Sequence, residues 1–245
     1  MKTILTISLA AGSVIAAACG HSGSASQTQE QAEITGKQAL FADTVKPQAE
    51  VEYDFENDSP GQLPEGWTQY YTGSGGTDWK IAEDQGNRVL AQEYSDNPNA
   101  HFNIVVNDRM EATDIELSVR LKGVTGKHDQ GGGFVWRFQD KNNYYVVRAN
   151  PLEDNVVLYK VENGKRTDLP LIGKGRTYGA DVPPLGNGWN TLRLAVKGDL
   201  FTVFLNGKEL FTVQDSTFTG AGKVGLWTKA DAVTWFDDFM VKKFK

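Results

Sequence analysis

The chain has 245 residues, 40% of them hydrophobic, and a net charge of −6. That length suits one large domain or two small ones, and all-β domains of about 200 residues fold as single units. The acidic balance and the lack of any Lys/Arg cluster exclude the basic stripe of a nucleic-acid binder, so no nucleic-acid partner is expected.

The N-terminus has the layout of a secretion signal. Lys2 precedes an apolar run from Ile4 to Ala18, and small residues lead up to Cys19, the sole cysteine. The run is too short for a membrane span, which takes about 20 apolar residues. Ala16-Ala17-Ala18-Cys19 resembles the lipobox of bacterial lipoproteins, with Ala16 where the commonest form has Leu. The resemblance implies that residues 1–19 are a signal peptide ending at a lipidated Cys19, which makes the membrane a partner through a lipid anchor. Gly20 follows in place of Asp. By the sorting pattern of such lipoproteins this implies the outer membrane, with the protein facing the periplasm or the exterior. Residues 20–48 are rich in Ser, Gln and Ala and hold too few large apolar side chains to offset the entropy of ordering. They are expected to tether a domain of residues 49–245 off the lipid.

From about Val51 the hydrophobic pattern has period two. Ile115, Leu117, Val119 and Leu121 fall on one face, and Glu116, Ser118, Arg120 and Lys122 on the other, which describes a half-buried strand. In GGFVWRFQ the same alternation assigns Phe134, Trp136 and Phe138 to the core and turns Val135, Arg137 and Gln139 outward. NVVLYKVENGKRTDL and LFTVFLNGKELFTV each carry Asn-Gly between apolar runs. Asn-Gly supplies the positive φ angles of a type I′ hairpin turn. No long stretch after residue 50 has helical period, so regularly spaced turns between short strands predict an all-β sandwich.

GNGWNTLRLAVKGDLFTVFLNGKELFTV resembles the Trp-Asn and Asn-Gly pattern of concanavalin A-like and laminin-G-like sandwiches. Its order after GGGFVWRFQDKNNYYVVRANPLEDNVVLYKVENGKR and before GKVGLWTKADAVTWFDDFMV is similar to bacterial 3-keto-disaccharide hydrolase domains, as is YDFENDSPGQLPEGW near the start. The resemblance spans residues 51–244 and implies a concanavalin A-like jelly-roll β-sandwich. Some members carry the label of family 16 glycoside hydrolases. That family places its carboxylates on one strand, and retaining chemistry holds them about 5–5.5 Å apart. The nearest match is Glu111, Asp114 and Glu116, but Glu111 is out of phase, and a solvated strand face is expected there.

Candidate ligand groups lie elsewhere. In YYVVRANPLEDN, Asn150-Pro151 ends a strand, since the residue before proline is held extended. Arg148 is expected to face outward beside Arg137, with Glu153 and Asn155 over the same end of the sheet. Two readings stand: a solvated turn of Asn, Asp and Pro, or one wall of a polar, sugar-sized cleft. In KVGLWTKAD, Val224, Leu226 and Thr228 share a face, which turns Trp227 and Lys229 outward ahead of Asp231. Trp227 then reads either as a platform for a sugar ring or as a ring packed under a loop. Trp67, Trp79, Trp189 and Trp235 are expected in the core or at corners. The candidate sugar-binding set is Arg137, Arg148, Glu153, Asn155, Trp227, Lys229 and Asp231, with Glu153 or Asp231 as an acid or base. Asp54, Glu56, Asp237 and Asp238 bring oxygen ligands from the first and last strands. They read as a structural calcium clamp or as a hydrogen-bonded terminus. No cofactor is otherwise required, and a monomer is expected. Three functions follow: carbohydrate recognition first, a glycan hydrolase second, and a structural envelope lipoprotein third.

Overall fold

The computed structural model describes residues 46–244. The predicted signal peptide, the lipidated Cys19 and the tether up to residue 45 lie outside the described residues. In chain order the strands are β1 (Ala49–Tyr53), β2 (Trp67–Thr72), β3 (Trp79–Asp84), β4 (Asn87–Gln92), β5 (Phe102–Ala112) and β6 (Ile115–Thr125). Then come β7 (Gly132–Asp140), β8 (Asn143–Asn150), β9 (Asn155–Glu162), β10 (Lys165–Asp168), β11 (Ala180–Asp181) and β12 (Asn190–Lys197). The chain closes with β13 (Leu200–Leu205), β14 (Lys208–Gln214), β15 (Gly222–Lys229) and β16 (Val233–Lys243).

These strands form two antiparallel sheets. The first runs β14-β13-β12-β6-β16-β4-β3, with β1 also on β16; the second runs β10-β9-β8-β7-β15-β5-β2, with β11 also on β9. Inner faces meet in one core. Ile115, Leu117, Val119 and Leu121 of β6 enter it as alternation predicts, against Phe134, Trp136, Tyr145 and Val147 of the second sheet. Both Asn-Gly pairs form the expected tight turns, with positive φ at Asn163, Gly164, Asn206 and Gly207. They join β9 to β10 and β13 to β14. The architecture is the concanavalin A-like jelly-roll β-sandwich.

The second sheet is apolar on both faces. Ile104, Val106, Val135, Phe138, Tyr144, Val146, Val157, Tyr159, Val161 and Trp227 form a second buried cluster on its outer side. A sheet facing water there would carry polar residues. This one instead curls so that its hairpin turns reach over to the far edge. The turn between β7 and β8 reaches β2, where the Thr72 hydroxyl donates to the Lys141 carbonyl and lies 2.9 Å from the Tyr144 hydroxyl. The β9–β10 turn lies on it, with Gly164 N–H donating to the Asn142 carbonyl at 2.9 Å. Gly133 and Gly225 permit the curl: a Cβ on either would stand 1.9 Å from the Val147 carbonyl oxygen or 2.0 Å from that of Val105.

A bulge corrects the reading of β7. The register with β8 shifts between Trp136 and Asp140, and Arg137 takes a left-handed φ of 47°. One extra residue reverses the alternation beyond it. Phe138 therefore joins the outer cluster, and Arg137 turns inward to 1% exposure. Its guanidinium donates to the carbonyls of Phe218 (2.7 Å), Thr113 (3.2 Å) and Gly198. It fastens the end of the sandwich and does not neighbour Arg148.

Candidate functional site

The corner between β8 and β9 gathers three of the expected residues. Asn150 and Asn155 pair across it, and Asp154 turns the chain with a φ of 46°. Arg148 points to the curled outer side of its sheet, where curvature buries it to 2% exposure. Its guanidinium donates to Glu153 at 2.7 Å, to the Tyr159 hydroxyl at 3.2 Å and to the side chain of Asn155. Asn155 Nδ2 donates to the same Glu153 oxygen at 3.1 Å. A buried guanidinium needs such partners to offset lost hydration. Arg148, Glu153 and Asn155 thus converge as the sequence suggests, but Arg148 is enclosed and not in water.

Burial acts on Glu153 to oppose ionisation, and the Arg148 charge with the Asn155 and Arg148 hydrogen bonds outweighs it. The carboxyl is held below its ordinary value. Burial also works against the Arg148 charge, and Tyr159, Glu153 and Asp129 overcome it, which keeps the guanidinium protonated. The Tyr159 hydroxyl is pushed up by burial, against the two nearby arginines. It donates to Tyr178 at 3.0 Å.

Beside this wall opens a cavity of about 410 Å³, lined by Asn99, Ala100, Phe102, Gly164, Arg166 and Lys229. Arg166 stands on β10 opposite Val161. Its guanidinium carbon lies 4.3 Å from the centre of the Tyr159 ring, 5.0 Å from Phe102 and 5.7 Å from Trp227. Its Nη1 is buried and has no hydrogen-bond acceptor among the described residues. Lys229 pairs with buried Asp129 at 3.1 Å, and Asp129 also accepts from Gly131 N–H at 2.7 Å. The two arginines share Tyr159, since Arg148 lies 5.9 Å from its ring centre.

The sequence reasoning missed Arg166, Asp129 and Tyr159. Arg166 was legible in part: the Asn163-Gly164 turn pairs it with Val161, which fixes its face as that of Tyr159. Asp129 was not, because its partner Lys229 is 100 residues away.

Two further expectations need correction. Trp227 lies on the outer side of β15, as alternation requires, but is 0% exposed beneath Arg166 and the second cluster. It is a floor of that cluster and presents no open ring to solvent. Asp231 accepts from the backbone N–H groups of Lys127, His128 and Asp129 at 2.7 to 3.1 Å. Burial opposes its ionisation, and these three donors win, so the carboxyl sits below its ordinary value. Both its oxygens are spent on shaping a loop.

The four carboxylates of the proposed calcium clamp are not assembled into one. Asp54 accepts from Glu56 N–H at 3.2 Å, and Glu56 accepts from Arg88 N–H at 2.9 Å. Asp237 accepts from Asn87 at 3.0 Å, and Asp238 pairs with Arg120 at 3.0 Å. Among the described residues no group of three or more His, Cys, Asp or Glu could hold a metal ion. Of the four tryptophans expected in the core or at corners, Trp67 and Trp79 are buried in the core, and Trp189, just before β12, and Trp235, on β16, are not. They lie half-buried on the outer side of the first sheet, where Lys122 stands 5.8 Å and 5.0 Å from their ring centres. Glu116 pairs with Arg193 at 2.9 Å on that same side.

Fold and site together define a curled β-sandwich with a charged mouth on one sheet. The carbohydrate-binding module CBM66 from Bacillus subtilis superposes with a TM-score of 0.54 at 20% identity, over 73% of this chain and 96% of that one. A B. subtilis protein of unknown function with a galectin-like fold gives 0.51 at 11% identity, over 81% and 96%. A xylan β-1,4-xylosidase from Bacillus halodurans gives 0.52 at 15% identity, over 78% of this chain but 39% of the enzyme. A search of the curated proteins finds no match. The family is settled by residues 54–242, which match the 3-keto-alpha-glucoside-1,2-lyase-like domain; the chain belongs to that family.

Proposed function

We propose that the protein recognises a carbohydrate at the mouth formed by β5, β8, β9, β10 and β15, and that a lipid on Cys19 holds it at the cell envelope. The observation that carries this reading is Arg166, which lies within 6 Å of three ring centres at the edge of the 410 Å³ cavity with Nη1 unpaired. A guanidinium so placed offers a rigid fork to adjacent hydroxyls, and Asn99 and Lys229 offer further polar contacts on the same wall. The family description concerns a glucoside, and one of the fold neighbours is a carbohydrate-binding module, which supports the same ligand class. For the anchor the support is the lipobox-like sequence before Cys19. An outer-membrane location facing the periplasm or exterior, and a monomeric state, complete the proposal.

Titration calorimetry of the purified protein against a panel of oligosaccharides tests the recognition. Binding that drops at least about tenfold in Arg166→Ala is expected; unchanged binding in that variant would move the site elsewhere. Metabolic labelling with a fatty-acid alkyne tests the anchor, with the label lost in Cys19→Ser.

A second reading is lyase chemistry, favoured by Glu153. It is ionised, partly open to solvent, and feels the Lys229 charge. In a 1,2-elimination from a 3-keto-glucoside, Glu153 would take the C2 proton that the ketone acidifies. The C1–O bond would break, and the leaving alcohol would take a proton from Lys229 or water. Asp231 is no alternative base, since backbone donors occupy it. Vinylic proton signals in an NMR time course with a 3-keto-glucoside, absent in Glu153→Gln, would establish this reading. Binding without product would leave recognition alone.

A further inference from the structure

The wall of the cavity carries two cations and, among the described residues, no carboxylate. The neighbouring charges are already matched: Glu153 with Arg148 at 2.7 Å, and Asp129 with Lys229 at 3.1 Å. Arg166 has no such partner among the described residues. It is held by rings alone, at 4.3, 5.0 and 5.7 Å. Ring faces attract the cation, but they leave its hydrogen-bonding edge unused and its charge uncompensated. A half-buried guanidinium has lost part of its hydration, and the missing counter-charge is of the kind a ligand supplies. The matching group is planar and bidentate, because the guanidinium presents a fixed fork that fits a carboxylate.

We infer that the sugar taken by this mouth is acidic, a uronate whose carboxylate pairs with Arg166 while its hydroxyls meet Asn99 and Lys229. The inference rests on the carbohydrate reading above and adds the charge of the ligand to it. Lys229 then serves two anions, Asp129 and the incoming sugar. The apolar side of the ligand ring faces Phe102, the sole aromatic side chain on the cavity wall.

The test compares galacturonate, glucuronate and mannuronate oligosaccharides, each with its neutral counterpart, by calorimetry on the full chain. The uronates should bind about tenfold more tightly at low salt. That advantage should shrink as ionic strength rises, while neutral binding holds, because salt screens the pair. Arg166→Gln should remove the advantage, and Arg166→Lys, which keeps the charge without the fork, should retain part of it. Equal affinity for neutral and acidic sugars overturns the inference and leaves the carbohydrate reading intact. Binding of free sulfate as tight as that of the uronates also overturns it, since the site is then a simple anion pocket. If no sugar of either kind binds, both the inference and the reading fall. Thermal melts report whether the variants fold; if Arg166→Gln does not, the wild-type affinity ratio and its salt dependence decide the question.

Discussion

The outer sides of the two sheets begin from the same alternation and finish in opposite states. On the first sheet the outward residues are charged and pair across strands. Glu116 meets Arg193 at 2.9 Å, Lys122 meets Asp84 at 2.9 Å, and Arg120 meets Asp238 at 3.0 Å. Trp189 and Trp235 lie among them, half in water. On the second sheet most outward residues are Val, Ile, Phe, Tyr and Trp, and the sheet curls over them until they are buried, with Arg148 and Arg166 at the margin. Period two fixes which side of a sheet a residue takes, not whether that side meets solvent. Solvent is decided by curvature, and curvature here follows from Gly133, Gly225 and the bulge at Arg137.

Paired substitutions sharpen this contrast. Trp227→Ala should cost about 3–5 kcal/mol, the usual loss for emptying a large buried aromatic site, read from urea unfolding. Trp235→Ala on the first sheet should lose at most about half as much, because part of its ring is wet in both states. Equal losses would mean that the second cluster is not a core. Gly225→Ala places a Cβ 2.0 Å from the Val105 carbonyl oxygen and should cost about 1–3 kcal/mol through forced backbone shifts. Gly188→Ala, where nothing lies within 4 Å, should leave the midpoint unchanged.

The arginines offer a smaller contrast. Arg148→Met strips charge-assisted bonds from Glu153, Asn155 and Tyr159 and should cost about 2 kcal/mol. Arg120→Met removes a 41% exposed guanidinium from equally exposed Asp238 at 3.0 Å and from buried Asp237 at a longer 3.4 Å, and should cost about 1 kcal/mol, less than Arg148→Met. The smallest effect is one of pH. Glu153 has a lowered pKa, so its pairing contributes fully above the unfolded carboxyl value of about 4.3 and is lost as pH falls through the folded value. Its side chain is 39% exposed, so screening holds the contribution to about 0.5 kcal/mol. Chemical unfolding between pH 6 and 3 should show a slope that Glu153→Gln flattens.

Local chemistry was legible in the sequence, and long-range closure was not. Asn163-Gly164 and Asn206-Gly207 announced their hairpins because the turn needs positive φ at both positions. The corner from Arg148 to Asn155 was legible because its residues lie within one turn of each other. Arg137 was misread because its bulge moves a single residue, which no alternation pattern records. Trp227 was placed on the correct side, but its cover comes from β10 and from hairpin tips that only the curled sheet brings over it. The pairing of Lys229 with Asp129 has the same origin, since it joins the end of β15 to the segment before β7.

The curl has a consequence for association between molecules. A sheet edge with free N–H and C=O groups is a template for a strand from another chain. Here β3 is met by Gly61 and Gln62, which exchange hydrogen bonds with Ile81 at 2.8 Å each. On β14, Ile172 N–H donates to the Thr212 carbonyl at 2.9 Å. The second sheet draws its outermost strands together, since the turn leading into β10 lies against the hairpin tip that meets Thr72 of β2. Among the described residues these contacts cover part of the sheet edges, so raising the protein concentration should promote little edge-to-edge aggregation.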